Sequence, residues 1–385
     1  MTIITAKWLS DAKTQRVFSV LTDAGHQAYG VGGCVRNELL GAPIRDVDIC
    51  TDAPPETVSN LAKKAGLKVV PTGIDHGTVT VVVGGSGFEV TTLRRDVQTD
   101  GRRAVVAYAK TMAEDASRRD FTMNALYVDK DGQVHDPLNG IGDLLARRVV
   151  FVGDAETRIR EDVLRILRFF RFHAWYGDPA AGLDAEGLAA CAAHLGAIET
   201  LSAERVGAEM TKLLGAPDPA PSVAAMAQSG VLSTVLIGAE AKALPVLVHL
   251  EDEWSVRPDS MRRLAVLGGE NPSEALRLSR ADARKLTLLR DQIGSGLGAL
   301  EMGYRFGEAT ARDVMLLRSA VFEAPLNDAD LAAAKRGASS VFPVKAADLM
   351  PDLNGPALGA RLAQLEAAWI ASDQRLGRKE LLALP

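Results

Sequence analysis

An α+β fold, with a strand-bearing head followed by an elongated all-helical remainder, is what the amino-acid sequence predicts. Three observations carry that reading. Short β-branched runs cluster before residue 150, strand-like alternation stops after it, and Ala- and Leu-rich segments with helical spacing fill the rest. The 385 residues exceed one ordinary core, so two or more packed units are expected.

The elements follow in order. TQRVFSVLTDAG has the spacing of an amphipathic helix. QAYGVGG is a strand running into a glycine turn, and CVRNELLG is a short helix that Gly41 ends. VDICT is a five-residue strand. PPETVSNLAKKAG opens with prolines where a helix tolerates them and closes at Gly66. LKVV, TVTVVV and FEVTTL are three further strands separated by Gly-rich turns. Beyond residue 150, ETRIREDVLRILRFFRFHAWYG carries Val163, Ile166, Leu167 and Phe170 on one helical side. DAEGLAACAAHL, SAERVGAEMTKLLG, APSVAAMAQSGVL and ARLAQLEAAWIAS continue the helical composition, with breaks at GAPDPAP and NGPALG. The expected divisions are a head over 1–150, a neck over 151–215, and a body and tail over 216–385.

Composition narrows the functional class. At 47% hydrophobic and 24% charged residues the chain is globular rather than disordered. Cys34, Cys50 and Cys191 are too few and too scattered for a disulfide framework or a CxxC metal site. The N-terminus lacks a signal-peptide pattern, and no apolar stretch approaches the ~20 residues of a membrane span. A cytoplasmic protein without a membrane partner is expected. The net charge of −5 does not advertise a nucleic-acid binder, but charge is uneven. Seven basic residues face four acidic ones between Arg94 and Arg119, and the same count recurs between Arg147 and Arg171. These segments suit either a phosphate-rich ligand or solvated helix faces.

Asp46 and Asp48 stand two apart in RDVDIC, and in a strand such residues share a face. Two carboxylates that close repel unless a cation neutralises them, and hard oxygen donors suit Mg²⁺. Alone, such a pair also fits an exposed strand or turn. Upstream, Gly32 and Gly33 precede a helix start, where free N–H groups attract phosphate, and Arg36 on the first turn adds positive charge. A tight turn needing glycine is the plainer reading. Glu89 lies in FEVTTL between Phe88 and Val90, which point to the opposite face. It either completes a three-carboxylate metal site or is an edge-strand glutamate in water. Acids beside a phosphate cradle suit two-metal phosphoryl transfer.

Asp162 and Arg165 are three apart in EDVLRILRFFR and so are expected as neighbours on one helix surface. They form either a routine intrahelical ion pair or a base reader. Cytosine and adenine each present an amino donor beside a ring-nitrogen acceptor, which a carboxylate next to a guanidinium matches. Guanine and uracil reverse that pattern. Arg168 and Arg171 continue the spacing towards phosphates.

The ordered motifs GGCVRNELLG, RDVDICT, PTGIDHGTVTVV, FEVTTLRRD, DGRR, RRDFTMNAL, DPLNGIGDL and EDVLRILRFFRF resemble the class II tRNA nucleotidyltransferases, the CCA-adding enzymes. That family also includes bacterial poly(A) polymerases. LSAERVGAEMTKLL and GPALGARLAQLEAAW extend a weaker similarity, so the resemblance covers nearly the whole chain. It implies a nucleotidyltransferase head with a helical neck, body and tail. It also implies template-independent addition of CCA to the tRNA 3′ end from CTP and ATP, with Mg²⁺ on Asp46 and Asp48. Gly33 and Arg36 would then meet the triphosphate, Asp162 and Arg165 the base, and Arg119, Asp120 and Asn124 the triphosphate and ribose. Read without the resemblance, Asp120 is an ordinary helix cap. The segment from Arg94 to Asp115 resembles the family's flexible loop for adding the last A. Asn37 replaces the usual aspartate after the glycine–arginine motif, so any ion pair made there is lost. Val163 replaces a common proline, a change expected to be harmless in a helix. No HD-type phosphohydrolase domain is apparent, and no phosphatase activity or protein partner is expected. The competing readings are poly(A) polymerase, a non-catalytic RNA-binding protein of the same fold, and nucleotidyl transfer to a small molecule.

Overall fold

The computed structural model describes residues 2–74, 77–100 and 103–385. Two compact units make up the chain, Met1–Ile237 and Gly238–Pro385.

Among its described residues the first unit contains nine strands: β1 (Ala28–Val31), β2 (Asp48–Thr51), β3 (Lys68–Gly73), β4 (Thr78–Val83), β5 (Ser86–Thr92), β6 (Arg94–Asp100), β7 (Arg103–Tyr108), β8 (Tyr127–Val128) and β9 (Val134–His135). Seven form a mixed sheet in the order β3-β4-β5-β2-β1-β8-β9. β2 and β5 run parallel, and their register sets Asp48 opposite Glu89. Along β5, Phe88 and Val90 are buried while Glu89 is exposed, as the alternation predicts.

The helices of this part are α1 (Lys7–Ser10), α2 (Ala12–Thr22), α3 (Gly33–Leu39), α4 (Pro55–Lys64), α5 (Met112–Ser117) and α6 (Gly140–Leu145). Side-chain caps start two of them: Asp11 accepts from the Lys13 amide, and Thr111 from that of Glu114. Val31, Cys50, Leu93, Ala109, Ala116, Ala125 and Tyr127 form a core between sheet and helices. All three cysteines are free and buried, and burial pushes the Cys34 and Cys191 thiols up to about 12.

Two corrections arise here. VDICT gives a strand beginning only at Asp48, so Asp46 lies just ahead of it. The segment from Arg94 to Asp115, which resembles the family's flexible loop, contains the antiparallel pair β6–β7 and the start of α5. β-branched and aromatic residues in RAVVAY carry the strand signal that glycine and charge masked. Gly101 and Arg102, part of that expected loop, lie outside the described residues.

After β9 the unit continues as α7 (Ala155–Glu161), α8 (Leu164–Tyr176), α9 (Ala185–Ala193), α10 (Ala203–Leu214), α11 (Ala220–Gln228) and α12 (Val231–Val235). The expected single helix over 156–177 is therefore two. Asp162 is extended, with φ −149° and ψ 103°, and its carboxylate accepts from the Leu164 amide. That local bond offers the backbone an alternative to the helical ladder, and α8 starts afresh behind it. Position 163 is thus the N-cap of α8, a helix start rather than a helix interior. Phe121, Phe151, Phe169 and Phe172 pack with ring centroids 5.0 to 6.3 Å apart and join α8 to the strand-bearing part.

The second unit is helical from Leu244–Glu253 to Arg378–Leu382, with one isolated bridge, Ala239 to Gly268, among its described residues. Its core holds charge: Arg262 and Arg263 both donate to Glu251 at 2.8 Å, and Arg262 reaches Asp313 at 2.6 Å. No helix among the described residues is long and apolar enough to cross a membrane.

Candidate active site

Gly32 begins the site. Its φ of 69° and ψ of −115° are open to glycine and costly for other residues, and it turns β1 directly into α3. No side chain among the described residues caps α3 at Gly32, which leaves the first amides of a helix that carries Arg36.

Arg36 is buried, with 7% of its surface exposed. Its guanidinium donates to Asn37 Oδ1 at 3.1 and 2.9 Å, to Asn124 Oδ1 at 2.5 Å and to Tyr176 Oη at 2.8 Å. Every one of these acceptors is neutral, and no carboxylate among the described residues pairs with it. Burial draws the Arg36 pKa down from its ordinary value; Tyr176 and the Asp120 charge oppose it, and Arg171 and Arg168 add to it. Asn37 supplies the two acceptor contacts of an aspartate without its charge, and its amide nitrogen donates to the Pro43 carbonyl at 2.7 Å. A buried cation with only neutral partners favours an anionic ligand.

Two of the acids lie on the same sheet, with Asp46 just ahead of it. Asp48 opens β2, Glu89 is opposite it on β5, and all three carboxylates, Asp46 included, are exposed. Desolvation, then the charges of Glu89 and Asp46, raise the Asp48 pKa above the usual carboxylate range, while Arg119 opposes them. The three acids therefore feel one another. Among the described residues, no group of three or more His, Cys, Asp or Glu is gathered tightly enough to hold a metal by itself. Magnesium is commonly held by one or two carboxylates together with substrate phosphates, and Asp46 and Asp48 supply that kind of donor set.

RRDFTMN forms the floor. Asp120 accepts from the Phe121 amide and Asn124 Nδ2 through one oxygen, and from Arg168 Nε and Nη2 through the other. Beyond capping, it pairs with α8. Arg119 donates to Asp115 and to the Tyr127 hydroxyl at 3.1 Å. Asp115, which sequence reasoning missed, also receives Arg118, the Tyr127 hydroxyl and the Arg94 amide at the base of β6. Burial works against its charge, but Arg119 and Arg118 outweigh it and hold the carboxyl at about 2.

A stability prediction follows from this network. The depressed pKa means that Asp115 contributes stability fully above the ordinary carboxylate range and loses it as pH falls towards about 2. Asp115→Ala strands Arg119 without its counter-charge, and a loss of about 3–5 kcal/mol is expected. Urea unfolding at neutral pH measures it. The difference between wild type and variant should shrink as pH approaches 2, and a pH-independent difference would contradict the assignment.

Asp162 and Arg165 are not paired with each other. Asp162 is held by Arg205 of α10, at 2.9 and 3.0 Å, while Arg165 donates to Glu161 at 2.6 Å and to the Arg158 and Arg118 carbonyls at 2.9 Å. The expected intrahelical neighbours straddle the break between α7 and α8. Arg168 and Arg171, expected to reach phosphates, are engaged with Asp120 and with Glu209 of α10. Arg36, Arg168 and Arg171 lie 5.2, 5.2 and 4.5 Å from the ring of Phe172. Tyr176, Arg205 and Glu209 were missed because pairing across elements leaves no spacing signal, whereas Glu161 stands four before Arg165, a spacing that could have found it. SAERVGAEMTKLL, with Arg205 and Glu209 four apart, hinted at a charged helix face.

A family model described as Poly A polymerase head domain matches residues 28–150. A second, described as the probable RNA and SrmB-binding site of polymerase A, matches residues 183–242. A CCA-adding enzyme of Streptococcus pyogenes is 43% identical over 221 residues, 55% of this chain and 52% of that protein. One from Leuconostoc citreum is 43% identical over 204 residues, 52% of this chain and 49% of that one. The chain spans about half the length of the curated relatives it matches. The solved Bacillus stearothermophilus CCA-adding enzyme in complex with CTP superposes with a TM-score of 0.71 at 27% identity, covering 94% of this chain and 93% of that one. Divalent metal ions are in general use among such nucleotidyltransferases. With its matching head and RNA-binding segments, the chain is similar to CCA-adding enzymes and to the head and RNA-binding domains of poly(A) polymerases.

Proposed function

We propose that this chain adds CCA to the 3′ end of tRNA without a nucleic-acid template, taking two CTP and one ATP and releasing pyrophosphate at each step. The carrying observation is the union of Arg36, a buried guanidinium with neutral partners only, with coupled carboxylates on the sheet that α3 follows. The likeness of nearly the whole chain to a CCA-adding enzyme bound to CTP supports the same reading. Residues 1–150 serve as the catalytic head, 151–215 as the base-binding neck, and 216–385 as the body and tail that grip the tRNA acceptor stem. The site of action is the cytoplasm.

Asp46 and Asp48 would hold Mg²⁺, with Glu89 beside them. Bound divalent ions supply the charge that lowers the pKa of the attacking hydroxyl and steadies the leaving pyrophosphate. The amides after Gly32 and Gly33 and the Arg36 guanidinium seat the triphosphate, with Arg119, Asp120 and Asn124 fixing the floor under it. Arg168 and Arg171 add positive charge beside Arg36. The tRNA 3′-oxygen bonds to the α-phosphorus, the bond from that phosphorus to the β-phosphate's bridging oxygen breaks, and the hydroxyl proton passes to water. Asp162 and Arg165 admit cytosine and adenine by their shared donor–acceptor edge.

The test is the product made on a tRNA lacking its 3′ CCA. With CTP and ATP together, extension by three nucleotides ending in A is expected, and CTP alone should stop after two. A long adenylate run without cytidylate would assign the chain to the poly(A) polymerases, and no extension with any nucleotide would overturn the enzymatic reading.

A further inference from the structure

Tyr176 closes α8, some 140 residues from Arg36, yet meets it twice. The Arg36 guanidinium carbon lies 3.9 Å from the centre of the Tyr176 ring, and Nη2 donates to the phenolic oxygen at 2.8 Å. Phe172, one turn earlier, backs the arrangement: its ring is 5.5 Å from that of Tyr176 and 5.2 Å from the guanidinium. Asn37 and Asn124 hold the remaining nitrogens. The Tyr176 end of α8 is itself fixed. A Cβ on the following Gly177 would fall 2.5 Å from the His173 ring and 2.7 Å from its carbonyl oxygen, so only glycine lets the chain leave the helix there. His173 in turn pairs with Ser222 of α11 at 2.7 Å.

We infer that Tyr176 is the positioning residue that aims Arg36 at the triphosphate, an inference that rests on Arg36 being a triphosphate contact. The physical reason lies in what a guanidinium needs in order to serve an anion. An aspartate partner would orient it but spend its charge. An aromatic face and a phenol oxygen orient it and leave the charge for the ligand. Burial makes that orientation count, because a misdirected buried cation finds no water to repay its desolvation. Tyr176 also sits eleven residues beyond Arg165, about 17 Å along the helix, so its work is separate from base selection.

The experiment compares wild type, Arg36→Ala, Tyr176→Phe and Tyr176→Leu. Calorimetric affinity for inorganic pyrophosphate is measured first, then kcat and KM for CTP and ATP. Loss of ring and hydroxyl in Tyr176→Leu should weaken pyrophosphate binding and raise KM for both nucleotides by about tenfold. kcat should change less, and the preference for CTP over UTP should not move. Tyr176→Phe keeps the ring and should lose only about threefold. A Tyr176→Leu protein that melts like wild type and binds pyrophosphate equally well overturns the inference alone, provided Arg36→Ala binds it weakly. Unaltered binding by Arg36→Ala overturns the triphosphate reading beneath it and the inference together. Should the leucine variant fail to fold, the phenylalanine variant decides, and wild-type affinity in it overturns the proposal.

Discussion

Asp48→Ala is expected to lower nucleotide incorporation by about 10³-fold or more, a loss of about 4 kcal/mol in transition-state stabilisation. The parallel pairing of β2 with β5 fixes the backbone of Asp48 opposite Glu89, and the Asp48 charge is opposed by Glu89 and Asp46. Removing it relieves that repulsion, so the variant should fold at least as well as wild type. Activity and stability must therefore part company. Single-turnover incorporation of labelled CTP on tRNA lacking its 3′ end, beside a thermal melt, reads both. Since desolvation and its neighbours raise the Asp48 pKa, the acid limb of the wild-type rate should lie above the range of an ordinary aspartate. Added divalent cation should move that limb down by competing with the proton. Incorporation surviving intact in Asp48→Ala would remove the catalytic assignment altogether.

How much of this site was legible in the sequence depends on where each contact is made. Asp48, Glu89, Gly32 and Arg36 are set by local rules. Strand alternation puts Glu89 opposite Phe88 and Val90, and a positive-φ glycine starts the helix that bears Arg36. Those rules failed where side chains outvoted them. The apolar rhythm of Val163, Ile166, Leu167 and Phe170 runs unbroken on paper, but Asp162 captures the Leu164 amide and divides the helix. Asp46 falls outside its strand because β2 pairs only from Asp48 onward. Tyr176 and Arg205 act across 140 and 43 positions, distances over which a single sequence carries no periodic signal, whereas Asp115 stands three and four residues before Arg118 and Arg119, a spacing that could have found it. Asn37 shows the converse. Its departure from aspartate was plain, and its consequence, a guanidinium whose hydrogen-bond acceptors are all neutral, needed the geometry around Arg36.

The break between α7 and α8 changes what base selection requires. Asp162 and Arg165 are not two neighbours on a continuous helix; they are groups on either side of a turn, each steadied by someone else. Arg205 holds the carboxylate, while Glu161 and two carbonyls hold the guanidinium. Neither pair consumes every hydrogen-bonding position, since a carboxylate has about four lone-pair sites and a guanidinium five N–H donors. A cytosine amino group can therefore meet Asp162, and its ring nitrogen Arg165, without dissolving the supports. Uracil would set a carbonyl against the carboxylate and an N–H against the guanidinium, a mismatch on both sides. Asp162→Ala and Arg165→Ala are each expected to cut the preference for CTP over UTP by about 10- to 100-fold, the range of one desolvated hydrogen-bond mismatch. Arg205→Ala keeps both reading groups and loosens one, so its loss of preference should be smaller and its KM for CTP higher. Competition between labelled CTP and UTP on the same tRNA measures all three. If both alanine variants at the reading positions choose CTP as strictly as wild type, the bases are discriminated elsewhere, and the turn at Asp162 is only a helix boundary.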